Sequence, residues 1–207
     1  FELQRVDSNA KSDYLTQHNA WLKNIELAKT EVVHFNSKDG TKLQGLLVKP
    51  LNYQKGKRYP TIVSLHGGPV YQFSQEFMSD WQAYAHAGFV VLGVNPRGSS
   101  GRGFEFAKAI YADWGNKDVQ DVLAGVDYVV RRGIADPERL GVGGWSYGGI
   151  LTNYVIASDT RFKAAISGAG ASNSFASYGF DQYSREYELE LGTPWANKEA
   201  YERVSYP

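Results

Sequence analysis

The heptapeptide 143–149 reads Gly-Gly-Trp-Ser-Tyr-Gly-Gly, which puts glycine two residues before and two residues after Ser146. A short apolar segment, 139–142, precedes it, and a helix-like segment, 150–158, follows it. A serine on a sharp strand-to-helix turn presents its hydroxyl for attack on a carbonyl carbon, and a Cβ at either flanking position would collide with the backbone. Free N–H groups at the helix start favour negative charge there. The run therefore predicts Ser146 as a catalytic nucleophile.

A serine nucleophile also needs hydrogen-bond donors for the oxyanion that forms when it attacks. In this type of turn, the backbone amide of the next residue, here Tyr147, is one donor. The other comes from a loop that follows an earlier strand. The apolar segment 61–65 leads into His-Gly-Gly-Pro at 66–69, and we predict the amide of Gly68 as the second donor.

The residues given do not identify a base for Ser146. Sites of this type carry their acid and histidine after the serine in the sequence. This chain has four histidines, all of which precede it: His18, His34, His66 and His86. His66 lies on the predicted oxyanion loop, where we expect it to orient the loop. We therefore expect the triad Asp and His beyond these residues, and we expect this chain alone to be inactive or weakly active.

Strands and helices alternate between residues 61 and 167, which predicts an α/β fold with a doubly wound, mostly parallel sheet. In such sheets, reactive groups lie at the carboxyl ends of the strands. The predicted strands are 31–35, 42–48, 61–65, 89–94, 139–142 and 162–167, the first two joined as a hairpin. The predicted helices are 78–87, 117–132 and 150–158, with a further short one near 19–28.

Composition excludes several functional classes. The formal net charge is zero, so nothing favours a nucleic-acid surface. No apolar run approaches the about 18–20 residues that span a bilayer. Cysteine is absent, no His and acid spacing suggests zinc, and the glycine runs match neither a dinucleotide site nor a phosphate loop. We therefore expect a soluble protein without metal or cofactor, and the sequence leaves its compartment, cytoplasmic or periplasmic, open.

Taken together, six motifs resemble the catalytic domain of the prolyl oligopeptidase family of serine peptidases, nearest its acylaminoacyl-peptidase or dipeptidyl-peptidase-like branch. They are Ser-Lys-Asp-Gly-Thr at 37–41, His-Gly-Gly-Pro at 66–69, Asn-Pro-Arg-Gly-Ser-Ser-Gly at 95–101, Asp-Trp-Gly at 113–115, Gly-Trp-Ser-Tyr-Gly-Gly at 144–149 and Gly-Thr-Pro-Trp at 192–195. The resemblance implies an α/β-hydrolase fold without its last strands. It also implies an acyl-enzyme formed by Ser146 with a short peptide, and oxyanion donors at Gly68 and Tyr147.

The resemblance further implies a domain organisation and a substrate pocket. Residues 1–30 would form a linker or the end of a preceding β-propeller, and residues 31–207 would form part of the peptidase domain. Within the aromatic segment 175–187, we predict substrate contacts at three residues, with ordinary packing as the alternative: Phe175, Tyr178 and Tyr183. Missing strands would leave a sheet edge exposed, which a homo-oligomer or a complementary chain could cover.

Two other functions remain open on these residues. A carboxylesterase of the same fold would use the same turn and oxyanion donors to cleave an ester instead of a peptide. A catalytically inactive binding fragment would keep the turn around Ser146 but lack its base. Reaction with a fluorophosphonate probe separates an assembled nucleophile from a binding fragment.

Overall fold

A six-stranded mixed sheet forms the centre of the protein in the computed structural model, which describes residues 2–205. Two short strands, β1 (Gln4–Val6) and β2 (Ser12–Tyr14), pair separately as a hairpin. The strands of the main sheet are β3 (Thr30–Asn36), β4 (Lys42–Val48), β5 (Tyr59–Leu65), β6 (Val90–Asn95), β7 (Ala135–Trp145) and β8 (Phe162–Gly168). Their order is β3-β4-β6-β5-β7-β8; the first two pairs are antiparallel and the other three parallel.

Helices cover both faces of this sheet. The bounds are α1 (Ser79–His86), α2 (Phe104–Lys108), α3 (Lys117–Arg131), α4 (Tyr147–Ser158), α5 (Ser174–Ser177), α6 (Ser184–Leu191) and α7 (Lys198–Arg203). Helix α1 packs on one face through Trp81, whereas α3 and α4 pack together on the other. The predicted doubly wound α/β arrangement is confirmed. The four short helices α2, α5, α6 and α7 were not predicted, because they lack a sustained apolar stripe.

Helix α3 has the apolar stripe that its sequence predicts. Val122, Val126 and Val129 are fully buried, and they belong to the same apolar cluster as Val63 of β5 and Val142 of β7. Burial of a valine side chain stabilises a fold by about 1.5–3 kcal/mol. This face of the sheet therefore provides a rigid base beneath the carboxyl ends of β5 and β7.

The predicted helix near 19–28 is wrong. The segment forms only a five-residue 3₁₀ turn, Ala20–Asn24, and no residue of that turn is buried. An isolated helix of this length needs tertiary packing to be stable, and this turn lacks it. The residues before it, assigned to a linker, contain the β1–β2 hairpin, which is exposed throughout.

Strand β8 is an edge of the described sheet, and it is largely exposed on both faces. Ile166 retains 73% of its accessible surface. A groove of about 830 Å³ runs along β5, β7 and β8 beside α1. The residues that line it include Gly141, Gly143 and Ala164, whose small or absent side chains leave space above the strands.

Candidate active site

Ser146 lies at the turn between β7 and α4, with φ 59° and ψ −124°. A positive φ is uncommon for a residue with a side chain and persists only where the surroundings enforce it. Here the Ser146 N–H donates to the carbonyl of Gly168, and the Ser146 carbonyl accepts from the amides of Gly149 and Ile150, at 2.8–3.0 Å. The strained backbone is therefore held from both sides, with the side chain half-buried.

The two glycines that flank the turn leave no room for side chains. A Cβ on Gly144 would lie 2.4 Å from the carbonyl oxygen of Leu65, and a Cβ on Gly148 would lie 2.2 Å from the same atom. Helix α4 therefore crosses the end of β5 at backbone contact. This is the physical reason for glycine at these positions, and it agrees with the collision that the sequence predicts.

The loop 66–69 lies directly against this turn. A Cβ on Gly67 would be 3.5 Å from the Cβ of Ser146 and 3.3 Å from the carbonyl oxygen of Trp145. Gly68 has φ 126°, a conformation that favours glycine, and its bond to Pro69 is cis. The fold thus brings the predicted oxyanion loop and the predicted nucleophile together.

His66 is buried on this loop and hydrogen-bonded at both ring nitrogens. Nδ1 lies 2.7 Å from the carbonyl oxygen of Gly67, and Nε2 lies 2.9 Å from the hydroxyl of Ser99. A carbonyl only accepts, so Nδ1 carries a proton and Nε2 of the neutral ring accepts from Ser99. Burial lowers the pKa of His66, which favours that neutral form. Its ring nitrogens are thus occupied by loop contacts.

Tyr147 begins α4, and its side chain is anchored beneath the turn. Its hydroxyl donates to Oδ2 of Asp118 at 2.6 Å, and both residues are buried. Burial raises the pKa of Asp118 and raises that of Tyr147 well above its usual value. The first amide of a helix has no partner within the helix, so the N–H of Tyr147 is suited to donate a hydrogen bond to a ligand oxygen. The contact with Asp118 was not predicted from the sequence.

A buried ion pair holds the loop that carries Ser99. The Arg97 guanidinium donates to both carboxylate oxygens of Asp121, at 2.9 and 2.7 Å, and Arg97 also pairs with Asp39. The Arg97 backbone amide donates to Asp121 as well. Arg97 is only 6% exposed. These contacts hold the loop after β6 against α3.

Two of the three residues predicted to contact substrate lie beside α7. Phe175 and Tyr178 pack against Tyr201, with ring centroids 5.3 and 6.0 Å apart. Tyr183, just before α6, is 47% exposed. The cluster that contains Phe175 and Tyr178 also includes Trp114, whose ring lies edge-on to that of Tyr147 at 6.0 Å. The predicted substrate contacts of these three residues stay predictions.

Trp114 and Glu190 link this cluster to Tyr147 of α4. This pair was not predicted from the sequence. The indole N–H of Trp114 donates to the Glu190 carboxylate at 2.7 Å, and the amide of Ala112 donates to the same oxygen. Burial raises the pKa of Glu190. A glutamate in a polar segment with no apolar stripe carries no sequence signal for such a contact.

Two negative findings apply to residues 2–205. No three His, Asp or Glu side chains within this range come close enough to hold a metal ion. None of the described helices combines the length and apolar character needed to cross a membrane.

Family models match most of the chain. The model described as the prolyl oligopeptidase family matches residues 75–206, a range that includes Ser146. A second model, described as acetyl xylan esterase (AXE1), matches residues 4–117 and ends before the turn at Ser146.

Curated relatives and solved structures agree with the first model. The chain is 34% identical to "Uncharacterized peptidase YuxL" of Bacillus subtilis over 91% of its length, and 33% identical to "Dipeptidyl-peptidase 5" of Schizosaccharomyces pombe over 87%. It covers only 30% and 28% of those proteins.

An acylaminoacyl peptidase solved in complex with Z-Gly-Gly-Phe-chloromethyl ketone superposes with a TM-score of 0.85 at 33% identity, covering 99% of this chain and 33% of that one. The uncomplexed Pyrococcus horikoshii acylaminoacyl peptidase gives 0.83, also at 33% identity, covering 94% and 32%. The chain thus spans about a third of the length of these proteins. It has the α/β-hydrolase fold of these peptidases, and it belongs to the prolyl oligopeptidase family.

Proposed function

We propose that this chain carries the nucleophile of a serine peptidase, with Ser146 forming an acyl-enzyme with short peptides. The Ser146 oxygen attacks the carbonyl carbon, the C–N bond breaks, and the hydroxyl proton passes through a base to the leaving amine. Water then hydrolyses the ester and restores the serine. The amides of Gly68 and Tyr147 stabilise the oxyanion in both steps. The observation that carries this proposal is the strained turn at Ser146, packed against the loop 66–69.

The base in this proposal is a histidine outside residues 1–207, paired with an acid that also lies outside them. His66 is committed to Gly67 and Ser99. The other three histidines are exposed on elements remote from the turn: His18, His34 and His86. Loss of a triad member leaves a residual acceleration of about 10³–10⁴ over water from the oxyanion donors and binding. The chain alone should therefore react slowly.

Peptide substrates and the domain organisation are part of the same proposal. Support for a peptide comes from the similar acylaminoacyl peptidase, which was solved with a peptidyl chloromethyl ketone. In this proposal, residues 1–30 end a preceding β-propeller and residues 31–207 form part of the peptidase domain. The relatives' roughly threefold greater length is compatible with that organisation.

Fluorophosphonate labelling tests the nucleophile. The folded chain should label slowly, Ser146→Ala should abolish labelling, and Ser100→Ala, a serine on the loop after β6, should leave it unchanged. Labelling that persists in Ser146→Ala would refute the assignment of the nucleophile. Absence of labelling in a folded sample, even after the remainder of the catalytic domain is supplied, would favour an inactive binding fragment.

A carboxylesterase is the second candidate, favoured by the acetyl xylan esterase match over residues 4–117. The same turn and amides serve either reaction, so the leaving group must decide. Two substrates that share one acyl group, an ester and a peptide amide, should be compared on the assembled catalytic domain. Cleavage of the ester alone would support the esterase, and comparable cleavage of both would support the peptidase.

The exposed edge at β8 is the proposed place for a partner. Its Ala164, Ala165 and Ile166 are exposed, and a parallel edge strand of this kind pairs readily with another strand. A homo-oligomer or a complementary chain at this edge stays a prediction. Sedimentation of the chain over a range of concentrations separates a monomer from a self-associating species.

A further inference from the structure

We propose that His66 is a positioning residue that fixes the peptide group between Gly67 and Gly68, and thereby fixes the direction of the Gly68 N–H. This inference rests on the proposed function, in which that N–H binds the oxyanion. It assigns to His66 a role distinct from that of a base, and it assigns to Ser99 the role of holding the imidazole ring through Nε2.

The argument begins with the geometry of a single peptide group. The carbonyl of Gly67 and the N–H of Gly68 belong to one planar unit, and in a trans peptide they point in opposite directions. His66 Nδ1 binds that carbonyl oxygen at 2.7 Å. Whatever holds the carbonyl therefore also holds the N–H on the opposite side of the plane.

This peptide group needs such a restraint. Rotation of the whole group changes only ψ of Gly67 and φ of Gly68, and both residues are glycines, which oppose it with few steric barriers. A flipped group would point a carbonyl oxygen, instead of an N–H donor, toward the oxyanion. Because one oxyanion donor is typically worth about 10²–10³ in kcat, a flip would be costly for catalysis.

The ring that provides the restraint is itself held in place. Nε2 accepts from Ser99, whose side chain is fully buried. The rings of Tyr71 and Phe73 stand edge-on to the imidazole, at 5.9 and 5.2 Å. The adjacent Arg97 anchors the Ser99 loop to α3 through Asp121. The ring therefore has one position and one tautomer, with the proton on Nδ1.

Three variants and one control test the inference. His66→Asn keeps an N–H donor near the place of Nδ1, His66→Ala removes it, and Ser99→Ala removes only the partner of Nε2. Ser100→Ala is the matched control, because Ser100 is the next residue and only its backbone amide is used, in a bond to the carbonyl of Tyr71. The measurements are ¹⁵N NMR of the imidazole, crystal structures and the rate of fluorophosphonate labelling.

The unaltered chain should show the Nδ1–H tautomer, and Ser99→Ala should keep it, because the Gly67 carbonyl still accepts from Nδ1. His66→Ala should flip the Gly67–Gly68 peptide, or populate two orientations, and should label about 100-fold more slowly. His66→Asn should recover most of that loss. An Nε2–H tautomer in the unaltered chain, or an unchanged peptide orientation in His66→Ala, would overturn the inference.

The tautomer and the peptide orientation decide this inference even if Ser146 never reacts with the probe. A failure of the proposed function therefore leaves a result that can be told apart from a failure of the inference. If His66→Ala does not fold, the tautomer measured in the unaltered chain and in Ser99→Ala is sufficient to decide.

Discussion

Gly148→Ala tests whether backbone contact between α4 and β5 holds the turn. The new Cβ would lie 2.2 Å from the carbonyl oxygen of Leu65, well inside the 3.0 Å below which such contacts essentially do not occur, and 3.0 Å from that of His66. Overpacking of this kind costs about 1–3 kcal/mol, and the upper end applies because backbone atoms must move. Replacing glycine in a helix returns up to about 1 kcal/mol. We therefore expect a net loss of about 2 kcal/mol.

Gly141→Ala on β7 is the matched control. Its Cβ would be 3.7 Å from the carbonyl oxygen of Ala164, an ordinary contact, and alanine is favoured over glycine in a strand by roughly 0.5–1 kcal/mol. Urea and thermal unfolding should separate the two variants, with Gly148→Ala melting about 4–8 °C below the parent. If Gly148→Ala is as stable as Gly141→Ala, the close contact between α4 and β5 is not a restraint on this turn.

Three further changes test the contacts around the site, each measured by urea unfolding. Asp121→Ala leaves the buried Arg97 without its main partner and should cost about 3–5 kcal/mol; a loss below 1 kcal/mol would contradict the burial of that pair. Tyr147→Phe removes the shortest of the hydrogen bonds that the buried Asp118 accepts and should cost about 1–3 kcal/mol. Because burial lowers the pKa of His66, the unfolded chain binds more protons below about pH 6.5, so stability should fall as the pH drops below that value. A His66→Asn variant should lose this dependence.

The parts of the fold that the sequence predicts are those with a continuous apolar pattern. Strands β5 and β6 and helix α3 lie within two residues of their predicted bounds. Helix α6 was missed because it follows a polar, tyrosine-rich stretch, and it is held by contacts distant in sequence. Tyr111, for example, donates its hydroxyl to the carbonyl of Leu189.

At the site, the sequence predicts which backbone groups meet but not which side chains support them. Asp118 and Asp121 lie in the first turns of α3, where acidic side chains favour the helix dipole. In the structure both are fully buried, one bound to Tyr147 and the other to Arg97. The position of a carboxylate in a helix predicts its interaction with the helix dipole. It does not predict the partners of that carboxylate, because these lie on other elements that only the fold brings close.

The pH dependence of labelling separates oxyanion stabilisation from the removal of the Ser146 proton by a base, which a complete site combines. This chain carries the proposed oxyanion donors, but the ring nitrogens of His66 are both occupied and no other histidine lies at the turn. Without an imidazole base, the reactive form of Ser146 is the small alkoxide fraction, so the labelling rate should keep rising between pH 6 and 9, about tenfold per pH unit. With a histidine of ordinary pKa as the base, the rate would level off above about pH 7. A plateau that disappears in His66→Asn would show that His66 takes the proton from Ser146. That result would refute both the proposal that the base lies outside residues 1–207 and the tautomer assigned to this ring.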